Sequence, residues 1–240
     1  MGMASKERKF LPALRFERLT SVYDPVVRYT TRERAFKRRL LDQAAIRAGE
    51  RVLDVGCGTG TLAIDAKRRQ PAAEVAGLDA DPAMLERARR KARDRGVEIE
   101  LVEGFSDHLP FVEQSFDVVL SSLFFHHLER PAKEATAREI VRVLRPGGRL
   151  HVADWGAPDG PATRALSTSI RLLDGDAPTR DNLTGALPGI LEDAGLARMR
   201  ERASFHTAYG RLALLSAERP ADSPPEPPEV EGPRRSGALP

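Results

Sequence analysis

A short apolar run, three alternating glycines and an amphipathic run follow one another near residue 50, and no other feature constrains the fold as much. Residues 51–55 read as a buried strand, glycines stand at 56, 58 and 60, and a helix is predicted over 61–69. Glycine suits a backbone that closes over a ligand, because no side chain obstructs the approach. A helix starting behind such a turn offers free N–H groups and a partial positive charge. The segment therefore predicts a ligand-binding turn at the end of a strand.

The spacing of these glycines narrows the kind of ligand. Gly56, Gly58 and Gly60 are each separated by one residue. A dinucleotide-binding turn has the spacing G-x-G-x-x-G, and its third glycine would fall on Thr61 here. The closer spacing favours a nucleoside that carries an amino-acid arm over a pyrophosphate.

A carboxylate ends the second predicted strand, where a ribose would lie. Asp79 comes nineteen residues after Gly60. At this place a carboxylate can accept hydrogen bonds from both ribose hydroxyls. Ala80 and Met84 follow and can line an adenine slot. Alone, Asp79 would equally suit a helix start, but behind the glycine turn we expect it to bind the ligand.

Apolar runs and amphipathic runs alternate through the rest of the chain. Strands are predicted over 51–55, 74–78, 98–102, 116–121 and 149–153, and helices over 61–69, 81–95 and 132–144. This alternation indicates an α/β fold, with a parallel sheet covered by helices on both faces. A predicted helix over 182–194 and two strands over 198–203 and 211–216 break the alternation. They predict an antiparallel hairpin at one sheet edge, and the long connection 156–175 is expected to form a lid helix.

Composition excludes several classes of protein. The one cysteine, Cys57, excludes an internal disulfide and a cysteine-built zinc site, and no metal site is predicted. No stretch approaches the ~20 apolar residues that span a bilayer. We therefore expect a soluble, cytoplasmic protein. The net charge of +3 is too small to indicate nucleic-acid binding by itself.

The chain resembles the class I methyltransferases that depend on S-adenosyl-L-methionine (SAM), over residues 23–216. Four motifs carry the resemblance: V-L-D-V-G-C-G-T-G at 52–60, G-L-D-A-D at 77–81, S-F-D-V-V-L-S-S at 115–122 and L-R-P-G-G-R-L at 144–150. Tyr23-Asp24, and L-P-F followed by S-F-D within 109–117, are most similar to the ubiquinone and menaquinone biosynthesis C-methyltransferases. The resemblance implies a Rossmann-like, seven-stranded, mostly parallel sheet with a C-terminal antiparallel hairpin.

The resemblance also implies roles for individual residues. Asp54 would orient the amino group of SAM, Asp79 would bind the ribose, and Ser121 would line the donor sulfur. Tyr23 would close over the cofactor from the N-terminal helices. The methionine part would pass along the backbone of Gly56, Cys57, Gly58, Thr59 and Gly60.

One stretch departs from the family pattern. Relatives commonly have G-D-A after the third strand, where the aspartate accepts a hydrogen bond from the adenine amino group. Here the stretch is Gly104-Phe105-Ser106-Asp107, and a phenyl ring cannot accept that bond. Phe105 would stack on adenine, or Ser106 or Asp107 would replace the missing acceptor.

Two adjacent histidines follow the fourth predicted strand, where the sulfur end of the cofactor should lie. A neutral imidazole near pH 7 can take a proton from a phenol or an acidic carbon. His126 is the candidate general base, ahead of His127. The alternative is a structural pair, with one histidine capping a turn and the other packing.

The predicted function is methyl transfer from SAM to a small-molecule acceptor, with an aromatic or quinone-like acceptor as one option. The acceptor pocket would draw on both ends of the chain: Tyr23, Arg28, Tyr29 and Arg32 from the N-terminal helices, and Asp154, Trp155 and Arg171 after the fifth strand. The alternatives are an RNA or protein methyltransferase, a SAM-binding protein without catalysis, and a nucleotide-dependent oxidoreductase. Nucleic acid is the less favoured partner, because no added RNA-binding module is visible.

Three regions are expected along the chain. Residues 1–48 would form N-terminal helices that cap the active site, 49–217 the SAM-binding core, and 218–240 a disordered proline-rich tail. Basic residues crowd the first forty positions, and they read either as a solvated helix face or as a patch for an anion. A lipid-like quinone acceptor would fit peripheral contact of these helices with a membrane surface. The sequence leaves the oligomeric state open.

Overall fold

The computed structural model describes residues 33–221, apart from the side chains of residues 172–174. Its strands are β1 (Arg51–Val55), β2 (Glu74–Asp79), β3 (Glu100–Glu103), β4 (Phe116–Ser122), β5 (Leu144–Trp155), β6 (Ala197–Thr207) and β7 (Gly210–Glu218). Its helices are α1 (Glu33–Ala44), α2 (Thr61–Arg69), α3 (Pro82–Asp94), α4 (Arg130–Val143), α5 (Pro161–Asp174), α6 (Asp176–Thr184) and α7 (Leu187–Asp193). A 3-10 turn over Phe125–His127 joins β4 to α4.

The strands form one sheet in the order β3-β2-β1-β4-β5-β7-β6. The first five strands pair in parallel, while β7 pairs antiparallel with both β5 and β6. The prediction of a mostly parallel, seven-stranded sheet that ends in an antiparallel hairpin is therefore confirmed.

Apolar side chains cover both faces of the sheet, as a parallel sheet requires. Neighbouring residues of one strand point to opposite faces, so Leu53 and Val119 belong to one core cluster and Val52 and Val118 to the other. Helices α4 and α7 pack in the first cluster. Helices α1 and α2 pack in the second, with Ile170 of α5 and Leu183 of α6.

The register brings the carboxyl ends of β1, β2 and β4 to one edge of the sheet. Asp54 lies beside Gly77 of β2 on one side and Leu120 of β4 on the other. The segments after these strands therefore lie next to one another, which is where ligands bind in parallel α/β sheets.

Several predicted elements have different bounds, and the hairpin strands β6 and β7 are both longer than predicted. The helix predicted over 182–194 is two helices, because Gly185 adopts a left-handed φ of 79° that ends α6 before α7 begins. Strand β5 begins at Leu144 rather than residue 149, with a shift of register between Phe116 and Val118 on β4. Strand β3 lies two residues later at its start than the predicted 98–102. The connection 156–175 does contain a helix, α5.

Some predictions lie outside the described residues. Tyr23, Arg28, Tyr29 and the basic residues up to Arg32 precede them, and the tail from residue 222 follows them. Among the described helices, none has the length and apolar character needed to cross a membrane. Within the same residues, no group of three or more histidine, cysteine, aspartate or glutamate side chains is placed to hold a metal ion.

Candidate cofactor and active site

The glycine turn is a tight, left-handed backbone segment held against the end of β2. Gly56, Gly58 and Gly60 have φ values of 69°, 53° and 70°. The N–H groups of Gly56 and Cys57 both donate to the Leu78 carbonyl at 2.9 Å. All three glycines therefore occupy a conformation that side chains disfavour.

The start and the middle of this turn differ in their surroundings. A Cβ atom built on Gly58 would meet no described atom within 4 Å, so this side of the turn is open. A Cβ atom on Gly56 would lie 2.1 Å from the Phe124 ring. The segment after β4 therefore packs directly on the start of the turn, while the middle of the turn faces free space.

This contrast predicts unequal effects of two alanine substitutions. Gly56→Ala adds overpacking against Phe124 to the backbone strain, and should lower the free energy of unfolding by about 3 kcal/mol. Gly58→Ala carries the backbone strain alone and should lower it by about 1 kcal/mol. Urea unfolding of both variants beside the parent measures the difference. Equal losses would show that Phe124 does not pack on the turn in solution.

The Asp79 carboxylate is fixed by the backbone on both sides. Its Oδ2 accepts from the Gly58 N–H at 2.7 Å, and its Oδ1 accepts from the Asp81 N–H at 2.9 Å. Burial raises the pKa of Asp79, and the Asp81 and Gly58 amides oppose that shift. Each carboxylate oxygen has a second lone pair, so the group can still accept from ribose hydroxyls. Half-buried Ala80 and Met84 follow at the start of α3.

Asp54 is a buried carboxylate without a hydrogen-bond partner in the described part of the chain. The residue is 1% exposed, and neither of its carboxylate oxygens has a hydrogen-bond partner within residues 33–221. Burial raises its pKa to about 7, although the nearby Lys37 charge opposes that shift. An unpaired buried carboxylate is unfavourable, and a ligand with an ammonium group would relieve it.

The remaining predicted cofactor residues lie around the same edge. Cys57 is buried, which raises the pKa of its thiol. The Ser121 hydroxyl donates to the Val55 carbonyl at 3.1 Å. Phe105 is 41% exposed and follows Gly104, whose N–H donates to the Asp79 carbonyl at 3.1 Å. The Phe105 ring is therefore carried on the segment next to the predicted ribose position.

Two contacts here were not predicted from the sequence. The Ser106 and Thr136 hydroxyl oxygens lie 2.7 Å apart, which ties the segment after β3 to α4. Lys91 of α3 donates to the hydroxyls of Thr59 and Thr61 at 2.6 and 2.9 Å. A lysine in the third turn of α3, the helix after β2, therefore braces the glycine turn, and sequence spacing alone does not reveal this.

His126 forms a buried pair with Asp154. Its Nδ1 lies 2.7 Å from Oδ1 of Asp154, and both residues are buried. With Nδ1–H donating to the carboxylate, the neutral imidazole has its acceptor lone pair on Nε2. The ring lies edge-on to the Trp155 ring, with centroids 6.1 Å apart.

The Asp154 carboxylate also organises the backbone around it. It accepts from the N–H groups of Phe124, Phe125 and Trp155 at 3.1, 2.7 and 2.7 Å. Burial raises the pKa of Asp154, but the His126 charge and hydrogen bond and the Trp155 amide together lower it below the usual range. One carboxylate therefore fixes both the turn after β4 and the imidazole on it.

His127 has a different environment. Burial, together with the adjacent His126, lowers the pKa of His127 to about 3. The two imidazole centroids lie 3.9 Å apart. A group with so low a pKa holds a proton poorly at neutral pH, so His127 suits a neutral, space-filling role better than that of a base.

The fold and this site define a class of protein. The sheet order places a left-handed glycine turn, the Asp79 carboxylate bound to it, and the buried Asp54 carboxylate, which has no hydrogen-bond partner among residues 33–221, at one edge of a Rossmann-like sheet. A sequence profile described as a methyltransferase domain matches residues 52–148. The solved SAM-dependent methyltransferase from Aquifex aeolicus superposes with a TM-score of 0.63 at 21% identity, covering 88% of this chain and 100% of that one.

Curated relatives identify the family and the subgroup of the chain. The demethylmenaquinone methyltransferase of Deinococcus radiodurans is 32% identical over 191 residues, which cover 76% of this chain and 78% of that protein. The one from Thermus thermophilus is 42% identical over 123 residues, covering 51% and 55%. The ubiquinone/menaquinone biosynthesis C-methyltransferase UbiE of Idiomarina loihiensis is 32% identical over 161 residues, covering 65% and 63%. The chain belongs to the class I SAM-dependent methyltransferase family, in the subgroup of these quinone C-methyltransferases.

Two facts limit what family membership implies. The chain spans only 55% of the length of the Thermus relative and 63% of the Idiomarina relative. The crystal structure of the 4+2 cyclase SpnF also superposes, with a TM-score of 0.58 at 21% identity, over 78% of this chain and 82% of that one. The fold is thus shared with a protein named for a different reaction, so the chemistry must be argued from the site.

Proposed function

We propose that this protein transfers a methyl group from SAM to a small-molecule acceptor with an oxygen-bearing aromatic ring, such as a quinol. The observation that carries the proposal is the turn from Phe124 to His126. Phe124, at one end, packs on Gly56 of the glycine turn. His126, at the other end, has its imidazole hydrogen-bonded to Asp154. The candidate base, His126, is therefore on the segment after β4 that packs on the glycine turn.

The described residues fit the cofactor. The unpaired Asp54 carboxylate suits the amino group of the methionine arm, and Asp79 suits the ribose hydroxyls. The open face at Gly58 leaves room for a ligand along the turn. Phe105, exposed beside the Asp79 segment, offers its ring to stack on adenine, because the family's aspartate is absent there. When bound, SAM supplies a methyl group already activated by its sulfonium.

The chain's own residues would then do three things. They hold the acceptor in line with that methyl group, exclude water, and accept the proton that the acceptor releases. Nε2 of His126 would take the proton of a ring hydroxyl while a ring carbon bonds the methyl group, whose bond to sulfur would break and leave S-adenosylhomocysteine. Loss of the proton on that ring carbon, with return of a proton to the ring oxygen, would then restore the aromatic hydroxyl. Asp154 acts through His126, because it holds the tautomer with Nδ1–H and stabilises the imidazolium that forms.

The acceptor class draws support from the relatives. The first relatives are named for demethylmenaquinone and for ubiquinone and menaquinone biosynthesis. The Idiomarina name specifies a C-methyltransferase of quinone biosynthesis, and a hydroxyl on a quinol ring is a proton donor that an imidazole can serve. The first acceptor to test is therefore demethylmenaquinone reduced to its quinol.

Methyl transfer to this quinol tests the proposal. The purified protein, incubated anaerobically with SAM and the quinol, should yield a methylated quinol detectable by mass spectrometry. His126→Asn keeps a donor to Asp154 but removes the base, and should lower kcat by a factor of about 100 or more with SAM affinity unchanged. His127→Asn is the matched control and should lower kcat far less. No methyl transfer to the quinol would refute the proposed acceptor, and an undiminished kcat in His126→Asn would refute the proposed base.

A further inference from the structure

One buried side-chain amide makes no hydrogen bond within the described part of the chain. Asn182 of α6 is 1% exposed, and neither its Nδ2 nor its Oδ1 has a hydrogen-bond partner among residues 33–221. A buried amide that loses its water partners without replacing them is destabilising, and such groups are rare in folded proteins. An amide in this state is complementary to a polar ligand.

The surroundings of Asn182 are those of the active site. Helix α6 packs against the 3-10 turn that carries His126 and His127. The next residue, Leu183, is buried in the same apolar cluster as Trp155, whose ring lies edge-on to His126. The amide therefore belongs to the helix that covers the proposed base.

Ion pairs hold this part of α6 in place. Asp181, the residue before Asn182, accepts from Arg130 at 2.6 Å and lies 3.4 Å from the buried Lys133 ammonium. Lys133 also donates to the Pro178 carbonyl at 2.5 Å, one turn earlier on α6. These contacts dock α6 on α4 at and just before the residue preceding Asn182, so the amide is preorganised rather than free to turn toward water.

We infer that Asn182 binds an oxygen substituent on the ring of the methyl acceptor. The inference rests on the proposed function and names the feature of the acceptor that the site reads. An amide offers two N–H donors and an acceptor oxygen, so it can donate to and accept from one hydroxyl. A ring without that oxygen would leave the amide unsatisfied, and sites built around a hydrogen bond reject such analogues strongly.

The buried amide also requires a route for the ligand. Gly175 joins α5 to α6 at a φ of 93°, a conformation that glycine adopts without strain. Helix α5 contacts α6, and rotation at Gly175 would move α5 relative to α6, which the ion pairs of Asp181 fix on α4.

A pair of ring compounds tests the inference directly. The probes are 1,4-dihydroxynaphthalene, kept reduced under anaerobic conditions, and naphthalene, which has the same ring system without oxygen. Equilibrium dialysis in the presence of S-adenosylhomocysteine gives the Kd of each. The parent protein should bind the dihydroxy compound about tenfold or more tightly than naphthalene. In Asn182→Leu the preference should disappear, mainly through weaker binding of the dihydroxy compound.

Stability and a neighbouring control separate ligand binding from folding. Leucine replaces the unsatisfied amide with an apolar group of similar size, so Asn182→Leu should keep or raise the Tm. Thr184→Val, on the exposed side of the same helix, should leave the preference between the probes unchanged. A marked fall in Tm for Asn182→Leu would show that the amide is structural, and would overturn the inference.

The remaining outcomes distinguish this inference from the proposed function. Equal affinity of the parent for the two probes, no binding of either probe, or an unchanged preference in Asn182→Leu would overturn the role of Asn182. Methyl transfer to the quinol could still occur in each case. Conversely, a preference that depends on Asn182, in a protein that transfers no methyl group, would retain the binding role and refute the activity.

Discussion

Replacing Asp79 by alanine is expected to weaken SAM binding at least 100-fold. The proposed ribose contact consists of hydrogen bonds to a charged acceptor, and each is worth about 1.5–3 kcal/mol. Two such bonds account for a factor of 100 or more, since about 1.4 kcal/mol corresponds to a tenfold change in Kd. The substitution also removes the acceptor for the Gly58 and Asp81 N–H groups, which loosens the turn. Calorimetric titration with SAM and with S-adenosylhomocysteine measures the loss.

The control for this experiment is two residues away. Asp81 caps α3 through its bond from the Ala83 N–H at 2.8 Å. Asp81→Ala should lower stability by about 1 kcal/mol through the lost cap and change the Kd for SAM little. If Asp79→Ala bound SAM as tightly as the parent, the nucleoside would have to lie elsewhere on the sheet edge.

Asp154→Ala is expected to be the most destabilising of the substitutions considered. It leaves the Phe124, Phe125 and Trp155 N–H groups and the buried His126 without their acceptor. Breaking a buried pair in this way costs about 3–5 kcal/mol. For a chain of this size that corresponds to a fall in Tm of roughly 10 °C. Thermal unfolding followed by circular dichroism gives the value.

An exposed ion pair provides the comparison for Asp154. Asp42 pairs with Arg69 at 2.7 Å, and both side chains are well exposed. Such pairs contribute about 0–1 kcal/mol, so Asp42→Ala should barely change the Tm. Similar losses in the two variants would mean that the Asp154 network is not formed in solution. The double variant with His126→Ala should lose less than the sum of the single variants, because the two side chains share one interaction.

The sequence contains enough information for the sheet and for the placement of the glycine turn beside Asp79. Alternating apolar and amphipathic runs predicted the order of strands and helices, because each β–α unit must bury one face of its helix on the sheet. The turn at Gly56 to Gly60 and the carboxylate at Asp79 were predictable for a similar reason. Their spacing is local, and the parallel sheet brings consecutive strand ends together.

The pairing of His126 with Asp154 required the structure. The two residues are 28 positions apart, and each reads by itself as a polar residue after a strand. Their contact depends on the register of β4 and β5, in which Ser122 lies beside Ala153. That register follows a shift near Phe116 that no periodicity reveals. A polar residue after each of two adjacent parallel strands was the available signal.

Asn182 was hidden by an error in the predicted helix. A single helix over 182–194 places this residue at a solvated start, where a polar side chain is expected. The left-handed Gly185 ends α6 just after Asn182, and the ion pairs of Asp181 turn the end of this helix onto α4. Burial of the amide is thus a consequence of tertiary contacts, which local sequence preferences do not contain.

The pKa of Asp54 is about 7. In the proposed complex, the ammonium group of the cofactor would therefore displace a proton from this carboxyl group. At neutral pH roughly half of the free molecules carry a proton on this carboxyl group, and only the ionised half can receive an ammonium group. Binding therefore releases, on average, a fraction of a proton per molecule. The measured heat of binding will include the ionisation enthalpy of the buffer that takes up this proton. One pH unit lower, the receptive fraction falls to roughly a tenth, and the apparent affinity falls with it. The affinity of the pocket for the methyl donor would thereby depend on the pH of its surroundings.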